Sequence, residues 1–108
     1  MYEFGEQMER VILAAVQTED GDDTRQSLAE LRDLTETAGA DAVAAVTQNR
    51  EAVHPATYLG KGKLEEIREL IYDLDATGVI CDDELTPAQM NNLEQELECK
   101  IMDRTMVI

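Results

Sequence analysis

Two hydrophobic patterns alternate along this chain, and few architectures satisfy both. Continuous apolar runs stand at Val11–Val16, Ala42–Val46, Val79–Cys81 and Cys99–Met102. Runs without polar alternation suit strands that are covered on both faces. Between them, Leu28, Leu31, Leu34 and Ala38 recur at helical spacing, as do Leu64, Ile67, Ile71 and Leu74, and then Met90, Leu93 and Leu97. Each set draws one apolar stripe along a helix. The order β-α-β-α-β-α-β follows, with strands near 10–17, 41–48, 78–82 and 99–103. Strands separated by helices imply right-handed crossovers and a parallel sheet. The expected fold is therefore α/β: an open four-stranded parallel sheet with helices on both faces. The expected strand order is 2-1-3-4, by analogy with the flavodoxin-like start.

Local signals place the element ends. Asp23 can cap the first helix and Gly39 can close it. The second helix is expected from about Gly62 to Ala76, with Gly78 ending it. Thr86-Pro87-Ala88-Gln89 combines an N-cap, a proline suited to the first helical position and, at the third, the partner of a capping box. Residues 1–9 read as a flexible, polar N-terminal segment, 10–105 as the α/β domain, and 106–108 as the start of a connection to a helical segment. Met106-Val-Ile108 is apolar and uncapped, so the chain reads as cut inside a continuing protein.

A chain of 108 residues supports one domain with one core. Its aromatic residues are only Tyr2, Phe4, Tyr58 and Tyr72, so that core must be aliphatic. The net charge of −15, from 24 acids and 9 bases, repels nucleic acid at long range. Any RNA contact must come from a local basic patch. Cys81 and Cys99 form no C-x-x-C pair and read as reduced, buried residues of a cytoplasmic protein. No apolar run reaches the length of a membrane span, and no signal peptide is visible in the polar, acidic Met1–Glu9.

In open parallel sheets, ligands bind beyond the carboxyl ends of the strands. Four loops are expected there. The first carries Glu19, Asp20, Asp22 and Asp23, and the second Arg50, His54, Tyr58, Lys61 and Lys63. The third carries Asp82, Asp83 and Glu84, and the fourth Asp103 and Arg104. The second is the most informative. Tyr58-Leu-Gly-Lys-Gly-Lys63 sits where a loop turns into a helix, so Gly60, Lys61, Gly62 and Lys63 would occupy a helix N-terminus. Free amides and the helix dipole favour an anion there. G-K-G-K is not the G-x-x-x-x-G-K-[ST] phosphate loop, and two solvated lysines beside loop glycines is the plainer reading.

The other candidates have plain readings too. His54, the sole histidine, lacks metal-ligand neighbours. Asp82, Asp83 and Glu84 could hold a divalent cation, but a capping turn is the simpler account. Asp103 and Arg104 read as an ion pair, and Met90 and Met102 as core. A phosphoacceptor receiver domain would need a fifth strand followed by a lysine, and the chain has neither. No serine or cysteine forms a nucleophile elbow with His54. No catalytic residue and no metal ligand is assigned.

Three segments together resemble the N-terminal domain of HflX-type GTPases. His54-Pro-Ala-Thr-Tyr-Leu-Gly-Lys-Gly-Lys63 is similar to that family's glycine-rich stretch. Asp83-Glu-Leu-Thr-Pro-Ala-Gln-Met-Asn-Asn-Leu-Glu94 is similar to its D-x-x-L-S/T-P-x-Q-x-x-N-L-E segment. Cys99-Lys-Ile-Met-Asp-Arg-Thr105 is similar to its C-x-V-x-D-R-T segment. They follow the family's order and spacing, and the similarity runs from about Arg10 to Ile108.

The resemblance implies a parent with this domain, a helical hairpin, a GTPase domain and a short C-terminal domain. It implies GTP-dependent binding of the large ribosomal subunit, and splitting of ribosomes, in the cytoplasm. An adenine-nucleotide activity is also attributed to this region in some members. These 108 residues contain neither G-x-x-x-x-G-K-[ST] nor N-K-x-D, so GTP and magnesium are expected in the parent and no cofactor in this segment. The expected phosphate or RNA contacts are Gly60, Lys61, Gly62, Lys63, Arg50, Tyr58 and Arg104. Two alternatives stand beside the ribosome-directed accessory domain. One is a stand-alone nucleotide-binding module, the other a scaffold that positions the hairpin and the GTPase domain.

Overall fold

Each apolar run becomes a strand, and the strands assemble side by side without a reversal. The computed structural model describes residues 9–18 and 23–107. The expectations placed on residues 1–8, on Glu19, Asp20 and Asp22, and on Ile108 lie outside the described residues. The order is β1 (Arg10–Gln17), α1 (Thr24–Thr37), β2 (Asp41–Asn49), α2 (Lys61–Leu74), β3 (Gly78–Cys81), α3 (Pro87–Leu97), β4 (Lys100–Asp103) and a single turn, α4 (Arg104–Val107). The sheet is parallel throughout, as the alternation implies, and its order β2-β1-β3-β4 is the one expected by analogy with the flavodoxin-like start.

Strand β1 lies at the centre, and its residues 11–16 are all buried. Alternation along it divides the interior. Ile12, Ala14 and Val16 face one cluster with Leu64, Ile67 and Leu93, beneath α2 and α3. Val11 and Leu13 face the other with Leu31, Ala42 and Val107, beneath α1 and α4. Burying each large aliphatic side chain stabilises by roughly 1.5–3 kcal/mol, so covering both faces is what makes a strand of this composition stable.

Three element ends depart from the sequence reading. Helix α2 stops at Leu74, not Ala76. Its C-cap is Asp75, at φ 56°, whose amide donates to Ile71 O. A short polar residue tolerates the left-handed conformation, so Gly78 is not needed there. Gly78 instead begins β3, where an added Cβ would stand 3.0 Å from Lys100 O; it is small because β4 passes close. Cys99 lies just before β4 and is half-buried, unlike the fully buried Cys81. Gly39 closes α1 as expected, at φ 103°.

Candidate functional site at the carboxyl edge

The connection from β2 to α2 is built from hydrogen bonds between the chain's own motifs. Arg50 N donates to Gln17 O (3.0 Å), tying the loop's start to β1. His54 and Tyr58 then pair as an antiparallel bridge, through His54 N to Tyr58 O (3.0 Å) and Tyr58 N to His54 O (2.8 Å). Inside that turn His54 Nδ1 accepts from the amides of Ala56 (3.1 Å) and Thr57 (3.3 Å). Nδ1 therefore carries no proton and Nε2 does. The histidine caps its own turn through Nδ1.

The third motif region grips this turn from the side. Gln89 Nε2 donates to His54 O (2.9 Å) and Asn92 Nδ2 to Ala56 O (2.9 Å). Gln89 is held by its capping box, because Thr86 N donates to Gln89 Oε1 (3.0 Å) and Gln89 N to Thr86 Oγ1 (3.1 Å). Two segments 35 residues apart thus form one rigid unit. Sequence reading found the capping box but missed this second use of Gln89 and Asn92. Nothing local marks a side chain that bonds to a distant backbone.

Tyr58 is the strut of the site. It holds φ at 63° and is 1% exposed. Its hydroxyl donates to Asp83 Oδ2 (2.5 Å) and accepts from Val16 N (3.1 Å). Burial, and then the Asp83 carboxylate, push its ionisation far above the ordinary tyrosine range. Its side chain is enclosed, so it supports the edge from within.

Helix α2 begins immediately after. Gly60 is its N-cap, extended at φ −74° and ψ 164°, and no side chain caps the helix. Gly60 N donates to Gln48 Oε1 (2.7 Å). The amides of Lys61, Gly62 and Lys63, the first helical turn, have no intrahelical acceptor. A Cβ on Gly60 would stand 2.7 Å from Arg50 Nη1 and 3.0 Å from Gln48 Nε2; the glycine lets both side chains lie across the helix entrance. Lys61 is exposed and has no ion pair among the described residues, whereas Lys63 pairs with Glu66 at 3.2 Å.

The pair expected on a fourth loop ends β4 and begins α4 directly, and it behaves otherwise. Arg104 and Asp103 do not pair with each other. Arg104 Nη1 donates to Asp82 Oδ1 (2.5 Å), Ser27 O (3.1 Å) and Ser27 Oγ (3.1 Å), and Nη2 to Glu30 Oε2 (3.2 Å). Asp103 accepts from Leu85 N (2.9 Å) and Thr105 Oγ1 (2.6 Å). A guanidinium beside two carboxylates gains more than one facing a carboxylate already engaged by an amide and a hydroxyl. Arg104 is therefore committed on the α1 side, and the structure does not bring it to Gly60–Lys63.

The crevice between the ends of β1 and β3, where such sheets usually take ligands, has a volume of about 220 Å³. Asp23, Asp82 and Asp83 line it, with Val16, Thr24 and Ser27. Its charge disfavours a phosphate. Asp82 is spent on Arg104 and Asp83 on Tyr58. Among the described residues no group of three or more His, Cys, Asp or Glu could hold a metal.

Comparison with known proteins places the whole arrangement. Residues 25–108 match the family model described as GTP-binding GTPase N-terminal. The GTPase HflX of Lacrimispora saccharolytica is 61% identical over 108 residues, all of this chain and 26% of the relative. The GTPase HflX of Escherichia coli is 38% identical over 107 residues, 99% of this chain and 24% of the relative. The GTPase HflX of Thermococcus kodakarensis is 45% identical over 84 residues, 78% of this chain and 19% of the relative. The chain thus spans about a quarter or less of the curated relatives it matches. Crystal structures of two SsGBP mutation variants share the fold, with TM-scores of 0.69 and 0.70 at 18% identity, covering 93% of this chain and 30% of theirs.

Proposed function

Because this chain belongs to the HflX family of GTPases, as its N-terminal domain, we propose that it is an accessory module helping the full-length protein engage the large ribosomal subunit. The carrying observation is the entrance of α2. Three first-turn amides without a side-chain cap lie beside the exposed Lys61 and the Arg50 guanidinium. In a chain of charge −15, counterion release must come from a few local cations at phosphates. Gly60, Lys61, Gly62, Lys63 and Arg50 form that contact, with Tyr58 holding it rigid from inside. Arg104 stays engaged with Asp82 and Glu30.

The residues present do not fit a GTP–magnesium site. Their G-K-G-K run is the first turn of α2, with Arg50 and Gln48 lying against Gly60. GTP and magnesium belong, in this reading, to the longer parent, which acts in the cytoplasm. Among the described residues no helix is long and apolar enough to cross a membrane.

The test is co-sedimentation of the full-length protein with large subunits at two salt concentrations. Replacing Lys61 and Lys63 with Glu weakens binding and flattens its salt dependence, while intrinsic GTP hydrolysis persists. Unchanged binding would remove this loop as an RNA contact. The scaffold reading would then lead. It draws on a specific observation: His54, Tyr58, Asp83, Gln89 and Asn92 all bond to one another's segments. Isothermal titration with ATP, GTP and pyrophosphate separates both from a stand-alone nucleotide module, which requires heat at millimolar ligand.

A further inference from the structure

Strand β2 has a face and an edge that the rest of the described chain leaves uncovered. Helix α1 packs over β1 and the start of β2, where Leu31 and Ala42 are buried together. Arg32 Nη1 donates to Ala42 O (2.9 Å) and closes that end of the edge. Then Val11 pairs with Ala42 but Ile12 with Ala44, so Val43 is an extra residue in a bulge. Beyond it Ala45, Thr47 and Asn49 are exposed, although the strand still pairs with β1 through Asn49. A groove of about 460 Å³ separates this stretch from α1. Leu28, Ala29 and Ala45 give it an apolar floor, and Arg25 and Arg32 flank it.

The edge itself is open. Among the described residues strand β2 is the last in the sheet, and one side has no strand partner. The amide of Arg50 points inward, to Gln17 O. By alternation the backbone groups of Ala45, Thr47 and Asn49 point outward. Exposed edges are normally blunted by charge, proline or a covering element. From Ala42 to Asn49 this strand has no charged residue and no proline.

The groove also concentrates the rarer charge. Of nine bases against 24 acids, two flank it. Among the described residues Arg25 has no ion pair or side-chain hydrogen bond, and Arg32 makes its bond to Ala42 O alone. They are one heptad apart on α1, about 10 Å along its axis. An added strand presents every second residue to one face, and residues i and i+4 of it stand about 13 Å apart. We propose that this groove and the outer edge of β2 bind an extended acidic polypeptide segment as a fifth strand. Carboxylates at positions i and i+4 of that segment face Arg25 and Arg32. Main-chain bonds to β2 supply affinity, and the paired arginines select acidic side chains. An extended peptide fits better than RNA, because the edge offers alternating amides and carbonyls over an apolar floor.

The probe is a blocked five-residue peptide, Glu-Val-Thr-Val-Glu, titrated into the isotopically labelled 108-residue chain and followed by amide NMR. Shifts centred on residues 45–49 and on the Arg25–Arg32 face are expected. Replacing both arginines with Glu (R25E/R32E) weakens binding at least tenfold while the spectrum stays dispersed. So does replacing the peptide's two acids with Lys. Methylating the peptide's alternate backbone nitrogens abolishes addition to an edge without touching the protein. Absence of shifts at millimolar peptide overturns the proposal. So does a binding strength indifferent to the arginines or to methylation. So does stronger perturbation of the same amides by oligouridine, or their concentration-dependent broadening without peptide, which would assign the edge to a second copy of the chain.

Discussion

Tyr58 shows how one side chain fixes several loops. Its hydroxyl satisfies the buried amide of Val16 and the Asp83 carboxylate together. Tyr58→Phe keeps the ring but leaves a buried donor without an acceptor, at a cost of about 1–3 kcal/mol. Urea denaturation should show that loss; an unchanged midpoint would mean water replaces the hydroxyl. The cysteines give a second test at this scale. Burial, aided by Glu94, pushes the Cys99 thiol up to about 11, and burial holds Cys81 higher still. A thiol whose folded pKa is raised favours folding fully below its unfolded pKa. That contribution is lost as pH rises through the folded value. Stability should therefore fall between about pH 9 and 11. With a thiol reagent at pH 8, Cys99 should react tens of times more slowly than a free thiol, and Cys81 only on unfolding.

Among the elements, α3 does more than pack. Its N-cap Thr86 orients Gln89, and Gln89 holds the turn at His54. Thr86→Ala removes the cap, which costs about 1 kcal/mol, and frees Gln89 to rotate. The expected result is a modest drop in denaturation midpoint together with faster amide exchange at Tyr58, 28 residues away in sequence. Equal exchange at Tyr58 in variant and parent would show that Gln89 keeps its place without the cap. The entrance of α2 has the opposite design: no side chain caps it, and glycine keeps it open to approach.

For the molecule as a whole, a net charge of −15 is self-repulsive. Among the described residues the ion pairs are few and mostly exposed; the half-buried Arg104–Asp82 contact is screened least. Raising salt from 0.1 to 1 M shortens the screening length from about 10 to 3 Å and weakens the repulsion more than the pairs. The thermal midpoint should therefore rise with sodium chloride. A fall would mean that local pairs dominate the electrostatics.

The architecture was legible because hydrophobic periodicity is a local property. Val11–Val16 cannot be satisfied except between two layers, and three helix stripes between four such runs leave little choice but a parallel sheet. Capping chemistry at Asp23, Gly39 and Thr86 was legible for the same reason. The resemblance to HflX-type GTPases came from three linked motifs, and the family followed from sequence alone. What each motif residue touches did not. That Tyr58 turns inward to Asp83, that Gln89 and Asn92 hold a turn some 35 residues away, and that Arg104 chooses Asp82 over its neighbour Asp103 depend on distances created only when the strands stack in order. Sequence places residues on elements; the packing of those elements decides which polar atoms come within reach.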